Sequence, residues 1–212
     1  MNSKLQRIIA ATVVLMFLSV SVLWAQQNDE DDRPIPPATP QVFPEYGLGD
    51  QMLAINLGIM VPLFFSGGPD GIQSTNLSLG GLGSLEWASY LNNNVALGME
   101  LGGAFAFTPN GRALFMVPIS AKISYFFRSY PFSFPVFLGA GLNISRLEDQ
   151  TKFDPILKPG ASFYWTYNPE WSFGLNAAYW FVPQFYRGPE PPSGDTRYGN
   201  FLELSLSALY HF

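Results

Sequence analysis

The chain has 212 residues, no cysteine, 13% charged residues and a formal net charge of −5 at pH 7. Without cysteine there can be no disulfide, thiolate metal site or lipidated-cysteine anchor. The acidic balance speaks against nucleic acid, which asks for basic patches.

The opening stretch MNSKLQR carries two positive charges and runs into an apolar or small segment from Ile8 to Trp24. This is the layout of a secretory signal peptide, 1–25, with cleavage expected after Ala25. The segment is short for a membrane-spanning helix, which needs about 20 residues. Removing Lys4 and Arg7 leaves nine basic against sixteen acidic residues. Residues 26–49 begin with the acidic run Asp29 to Asp32 and continue rich in proline, which predicts an acidic linker with no packed core of its own. The acidic run has no enforced geometry for holding a metal, so no metal site is expected.

From residue 50 to 212 the composition turns aromatic, aliphatic and glycine-rich, and alternation at period two recurs throughout. The first set is Leu53, Ile55, Leu57, Ile59, Val61 and Leu63, alternating with Met52, Ala54, Asn56, Gly58 and Met60. A second set holds Leu77, Leu79, Leu85 and Trp87; a third runs from Val95 to Phe107 on odd numbers, and a fourth from Phe115 to Phe127. Phe134 to Ile144, Ala161 to Tyr167 and Trp171 to Phe181 make the fifth to seventh. The closing stretch LELSLSALYHF is the eighth, with Leu202, Leu204, Leu206, Ala208, Tyr210 and Phe212 on the apolar side and Glu203, Ser205, Ser207 and His211 among the residues on the other. Pro118 interrupts the fourth set and predicts a bulge or a bound water, because proline cannot donate to a ladder. The Gly80 to Gly83 run weakens the second set, and the sixth has no clear start around Lys158 and Pro159.

The quieter faces carry Asn56, Glu86, Glu100, Lys122, Asn143, Lys158, Asn176 and Glu203. Burying such groups without partners costs several kcal/mol each, whereas a polar barrel lumen accommodates them and leaves the apolar faces to lipid. The expectation is an all-β fold: an eight-stranded antiparallel up-and-down transmembrane β-barrel integral to the outer membrane. Its linker and C-terminus are periplasmic. Short turns at Asn92 to Asn94, Arg128 to Pro131 and Asn168 to Glu170 are assigned to the periplasmic side. The connections Ser66 to Thr75, Thr108 to Arg112, Leu147 to Asp154 and Arg187 to Gly199 are assigned outside. Aromatic residues mark two interfacial girdles: Trp87, Tyr125, Trp165 and Trp171 on the inner side, Phe105, Phe107, Tyr179 and Phe181 on the outer.

Inward Tyr90, Phe126, Phe137, Tyr164 and Trp180 oppose many glycines and alanines, which predicts a lumen largely filled by side chains. Glu86 and Glu100 lie symmetrically about Asn93, so a regular hairpin sets two carboxylates face to face, a pairing that needs a cation. Lys122 on the next strand falls near the same height. An ionic network of Glu86, Glu100 and Lys122 is expected, with Lys158, Glu203 or Arg146 as further members. Catalysis finds little in the sequence: the sole histidine, His211, falls at the inner rim, and the glycine patterns Gly139-x-Gly141 and Gly81-x-Gly83 lack the third glycine of a phosphate loop. Neither an enzyme nor a cofactor is expected. The loop runs Gly67 to Gly71 and Gly188 to Asp195 read as solvated turns or as surfaces for a host or partner molecule.

Leu206, Tyr210 and the terminal Phe212, with alternating apolar residues upstream, resemble the C-terminal signal read by the bacterial barrel assembly machinery. The chain is similar in size and pattern to the small eight-stranded barrels of the outer membrane protein A, X and W class. Resemblance to the W type implies passage of small apolar compounds through a narrow, laterally opening lumen. The rival expectation is a structural or adhesive surface barrel acting through its outer loops.

Overall fold

The computed structural model describes residues 45–67, 71–147, 150–184 and 197–212. The expected signal segment, the linker through residue 44 with its Asp29 to Asp32 run, and most of the Gly67 to Gly71 and Gly188 to Asp195 loop runs lie outside the described residues. The elements are β1 (Gln51–Ser66), β2 (Gln73–Ser74), β3 (Gly80–Tyr90), β4 (Val95–Phe107), β5 (Ala113–Ser129), β6 (Phe132–Leu147), β7 (Gln150–Thr166), β8 (Trp171–Gln184) and β9 (Arg197–His211). β3 to β9 pair in sequence, and β1 pairs antiparallel with both β3 and β9, Leu57 lying between Gly83 and Leu206. Eight long strands therefore close into a barrel. β2 is a two-residue flap on the end of β1, with Phe64 opposite Ser74.

The end that carries residues 91–94, 130–131 and 167–170 is termed lower, the other upper. Two of the lower turns use one device. The side-chain oxygen of Asn92 accepts from the backbone N–H groups of Asn94 and Val95, both at 2.9 Å. Asn168 does the same for Glu170 at 3.0 Å and Trp171 at 2.7 Å. Asparagine suits this role because its carboxamide substitutes for a backbone turn acceptor.

Period-two alternation fixes which flank faces out. Leu97, Val117 and Phe173 are 49%, 38% and 43% exposed, while Glu100 and Lys122 are each 5% exposed. The oily flank is thus the outer wall. Inside, one apolar cluster fills the upper lumen around Met60, Leu82, Met116, Phe137, Trp180 and Phe201. A second fills the lower lumen around Tyr46, Met52, Tyr90, Phe126, Tyr164 and Leu209.

Several local expectations need correction. Leu77 turns against the upper cluster, because Asn76 takes φ 51° and the regular strand starts only at Gly80. Pro118 makes no bulge. The β5–β6 ladder runs through Pro118 opposite Asn143, while the β4–β5 register holds from Leu101↔Ile119 to Ala104↔Met116 with the intervening rungs missing. Its ring fits beside Gly102, where an added Cβ would lie 2.9 Å from the proline Cγ. The bulge falls at Leu63, between Pro62↔Phe201 and Phe64↔Asn200. The connection expected from Leu147 to Asp154 is mostly strand, since β6 runs to Leu147 and β7 starts at Gln150. Finally, residues 45–49, expected to be linker, are packed on the lower mouth through Tyr46.

Candidate functional site: an ion-paired layer across the lumen

Strand register brings five charged side chains to one level. Glu86 of β3 lies directly opposite Glu100 of β4. Lys122 of β5 is flanked by Gly98 and Gly139, and Lys158 of β7 pairs with the same Gly139. Glycines at these positions leave the lumen to the lysine stems: a Cβ on Gly139 would lie 3.3 Å from Lys158 Cβ. Glu203 of β9 sits between Met60 and Ala178.

Lys122 Nζ stands 2.7 Å from Glu86 Oε2 and 3.9 Å from Glu100 Oε2. Lys158 Nζ donates to Glu100 Oε1 and lies 3.2 Å from Glu203 Oε2. The order is therefore Glu86, Lys122, Glu100, Lys158, Glu203, with acids and bases alternating. Arg146 does not join, since it lies on the exposed outer flank opposite Phe115. The third carboxylate has neutral donors in addition: Trp180 Nε1 donates to Glu203 Oε2 at 2.7 Å and Asn176 Nδ2 to Oε1 at 3.0 Å. Aromatic faces complete the layer, Lys122 Nζ lying 3.7 Å from the Phe137 centroid and Lys158 Nζ 4.6 Å from that of Trp180. All five charges are buried. Such a network holds because each ion has partners, and removing one is costly while the rest remain desolvated.

Sequence reading placed Trp180 and Asn176 on the inward face without linking them to Glu203; inward parity on neighbouring strands was the available signal. It missed Tyr46 altogether, since the only pattern around that residue is proline and glycine.

The ionic layer lies between the two apolar clusters. Below it, Glu86, Lys122, Ser124, Ser162 and Tyr164 border a void of about 10 Å³, about the space of one water. Among the described residues, no group of three or more His, Cys, Asp or Glu is arranged to hold a metal ion.

On the outer wall, Trp87, Tyr125, Trp165 and Trp171 ring the lower end, with Trp87 Nε1 donating to Gln51 Oε1 at 3.0 Å. Phe105 and Phe107 mark the upper end; Phe181 stands beside Tyr198, and the Tyr179 hydroxyl donates to Asn200 Oδ1 at 2.5 Å. Leu206, Tyr210 and Phe212 share the outward file of β9, the last two with ring centroids 5.8 Å apart.

A closed antiparallel barrel with an apolar outer wall, aromatic bands and an ion-paired layer in its lumen defines a small integral outer-membrane barrel. The chain belongs to the protein family whose model matches residues 28–210. An uncharacterized protein of Borreliella burgdorferi is 29% identical over 177 residues, 73% of this chain and 80% of that protein. Among solved structures, Neisserial surface protein A superposes with a TM-score of 0.57 at 12% identity, over 77% of this chain and 97% of its own. The outer membrane protein OprG of Pseudomonas aeruginosa does so at 0.50 and 11%, over 81% and 99%. At these identities the likeness is one of fold.

Proposed function

We propose that the protein is a non-enzymatic, non-conducting surface barrel, anchored in the outer membrane and acting through the connections at its upper mouth. The lower turns and the C-terminus then face the periplasm, and Leu206, Tyr210 and Phe212 serve the assembly machinery. The observation that carries this reading is the stack in the lumen: an apolar cluster, an ion-paired layer and a second apolar cluster, with a void of only about 10 Å³ beside Glu86. A solute crossing end to end would have to break paired buried charges, at several kcal/mol. His211, enclosed with Tyr46 and Tyr90 at the lower mouth, stands far along the barrel from any substrate presented at the upper one.

A second reading, passage of small apolar compounds sideways into lipid, has one observation in its favour. An upper vestibule of about 270 Å³ is walled in part by Phe65, Leu77, Leu114 and Leu147. Beside it the β1–β3 ladder stops at Met60↔Gly80. Planar-bilayer recording and proteoliposome uptake separate the two. A surface barrel gives no current, with or without small apolar solutes, and no uptake above protein-free vesicles. Steady single-channel current would overturn the proposal, and solute uptake without current would transfer the case to lateral passage.

A further inference from the structure

The lower mouth is closed by a side chain that no strand supplies. Tyr46 lies ahead of β1, and its ring is stacked on Tyr90, centroids 4.7 Å apart at 13°, and on His211, 4.6 Å apart at 26°. The Arg128 guanidinium lies over the same ring at 4.4 Å, and also within 5.0 Å of Phe126 and 5.4 Å of Tyr90. Arg128 is itself positioned, its Nε donating to the Asn93 carbonyl at 2.9 Å. Three strands and a turn thus contribute to a slot for one planar ring: Tyr90 from β3, Phe126 and Arg128 from β5, His211 from β9, with Asn93 from the β3–β4 turn. Aromatic stacking and a cation over the ring face both favour a planar ring in that slot.

The backbone around Tyr46 is held far less firmly than the ring. The Tyr46 N–H donates to Asn93 Oδ1 at 3.2 Å, and the Gly47 N–H bonds only within its own segment, to Asp50 Oδ2 at 2.7 Å. Regular attachment begins at Gly49, whose N–H donates to the Tyr90 carbonyl at 3.0 Å. Gly49 has φ 98°, a conformation that a side chain would oppose, so glycine suits the bend that leads from Tyr46 into β1. Beside the slot, a pocket of about 490 Å³ bordered by Glu45, Asn93, Arg128, Tyr130, Ser133 and Thr166 gives a second chain a way in. Burial pushes the Tyr46 phenol above its ordinary value, against the pull of Arg128, so the ring enters neutral.

We propose that this slot is a recognition site for a tyrosine side chain presented by another polypeptide, and that Tyr46 is its cis occupant, an autoinhibitory contact that keeps the site filled. The occupant defines the ligand: a tyrosine followed by a small residue, with a backbone N–H for Asn93. A tethered ring competes at an effective concentration on the order of mM. A free partner therefore binds the native chain weakly and the vacated slot well.

The test uses the peptide PEYGLGD, the sequence of residues 44–50, carrying a spin label at its N-terminus. Its target is the full barrel in lipid nanodiscs, with the ring of His211, the sole histidine, isotope-labelled for NMR. Tyr46→Ala is expected to shift the His211 signal and to bind the peptide at least about tenfold more tightly than the native chain. The same peptide with alanine for tyrosine should not bind. A folded Tyr46→Ala barrel whose His211 signal has shifted but which does not bind the peptide overturns the proposal. Should that variant not fold, the native barrel decides. Broadening of His211 by millimolar tyrosine peptide and not by the alanine peptide supports the site; no broadening, or equal broadening by both, overturns it.

Discussion

Lys158 is the residue on which the ionic layer turns, because it bonds Glu100 and Glu203 at once while both remain out of water. Its replacement by methionine keeps most of the stem volume but leaves Glu100 only the more distant Lys122 and Glu203 only the neutral donors Trp180 and Asn176. A buried charge that loses its partner costs about 3–5 kcal/mol. Glu203→Gln is gentler: the amide keeps an acceptor for Trp180 or Asn176 and removes the one carboxylate in excess over the two lysines. We expect Lys158→Met to lower the folding free energy by about 3–5 kcal/mol and Glu203→Gln by about 1–2 kcal/mol. Urea unfolding in lipid vesicles, followed by the gel shift of the folded form, measures both. Equal and small losses would mean that the layer is hydrated and that its charges do not depend on one another.

At the scale of a strand, the deciding property is that each element has one flank for hydrocarbon. Leu101 lies mid-strand on the outer flank of β4 and is exposed. Arginine there costs about 2–4 kcal/mol near the bilayer midplane; on a soluble sandwich it would be harmless or helpful. Leu101→Arg is therefore expected to reduce stability by that amount in vesicles, read by the same unfolding assay, and a neutral result would argue against a lipid-facing wall. This flank was legible in the sequence because a period of two needs no tertiary knowledge. The same holds for the opposition of Glu86 and Glu100, which follows from a symmetric turn at residues 92–94. Legibility failed where proline stood in a ladder. Pro155 and Pro159 hid the start of β7, although Asp154, Ile156 and Lys158 keep the inward parity. A long hairpin tolerates proline when its missing N–H falls on a side where rungs are absent, as between Leu157↔Phe181 and Gly160↔Ala178. Tyr46 was illegible for a different reason: a single ring inserted from an irregular segment leaves no periodic trace.

For the whole molecule, the tryptophans of the barrel report both membrane height and sidedness. Trp87, Trp165 and Trp171 point outward near the lower end, whereas Trp180 is fully buried in the lumen beside Lys158 and Glu203. Interfacial indoles sit at headgroup depth because the ring is apolar and its N–H seeks a polar partner. Trp87 shows the arrangement directly, its N–H bonded to Gln51 at the start of β1. Four single-tryptophan variants, the others replaced by phenylalanine, can be inserted into vesicles whose lipids carry quenchers at shallow or deep acyl positions. The three outward residues should be quenched more by shallow than by deep labels, and Trp180 by neither. Deep quenching of Trp87, Trp165 or Trp171 would shift the hydrocarbon zone along the barrel. Quenching of Trp180 at any depth would place lipid in the lumen, which cannot be reconciled with a closed ladder from β1 round to β9, since an acyl chain could reach that ring only through an open seam.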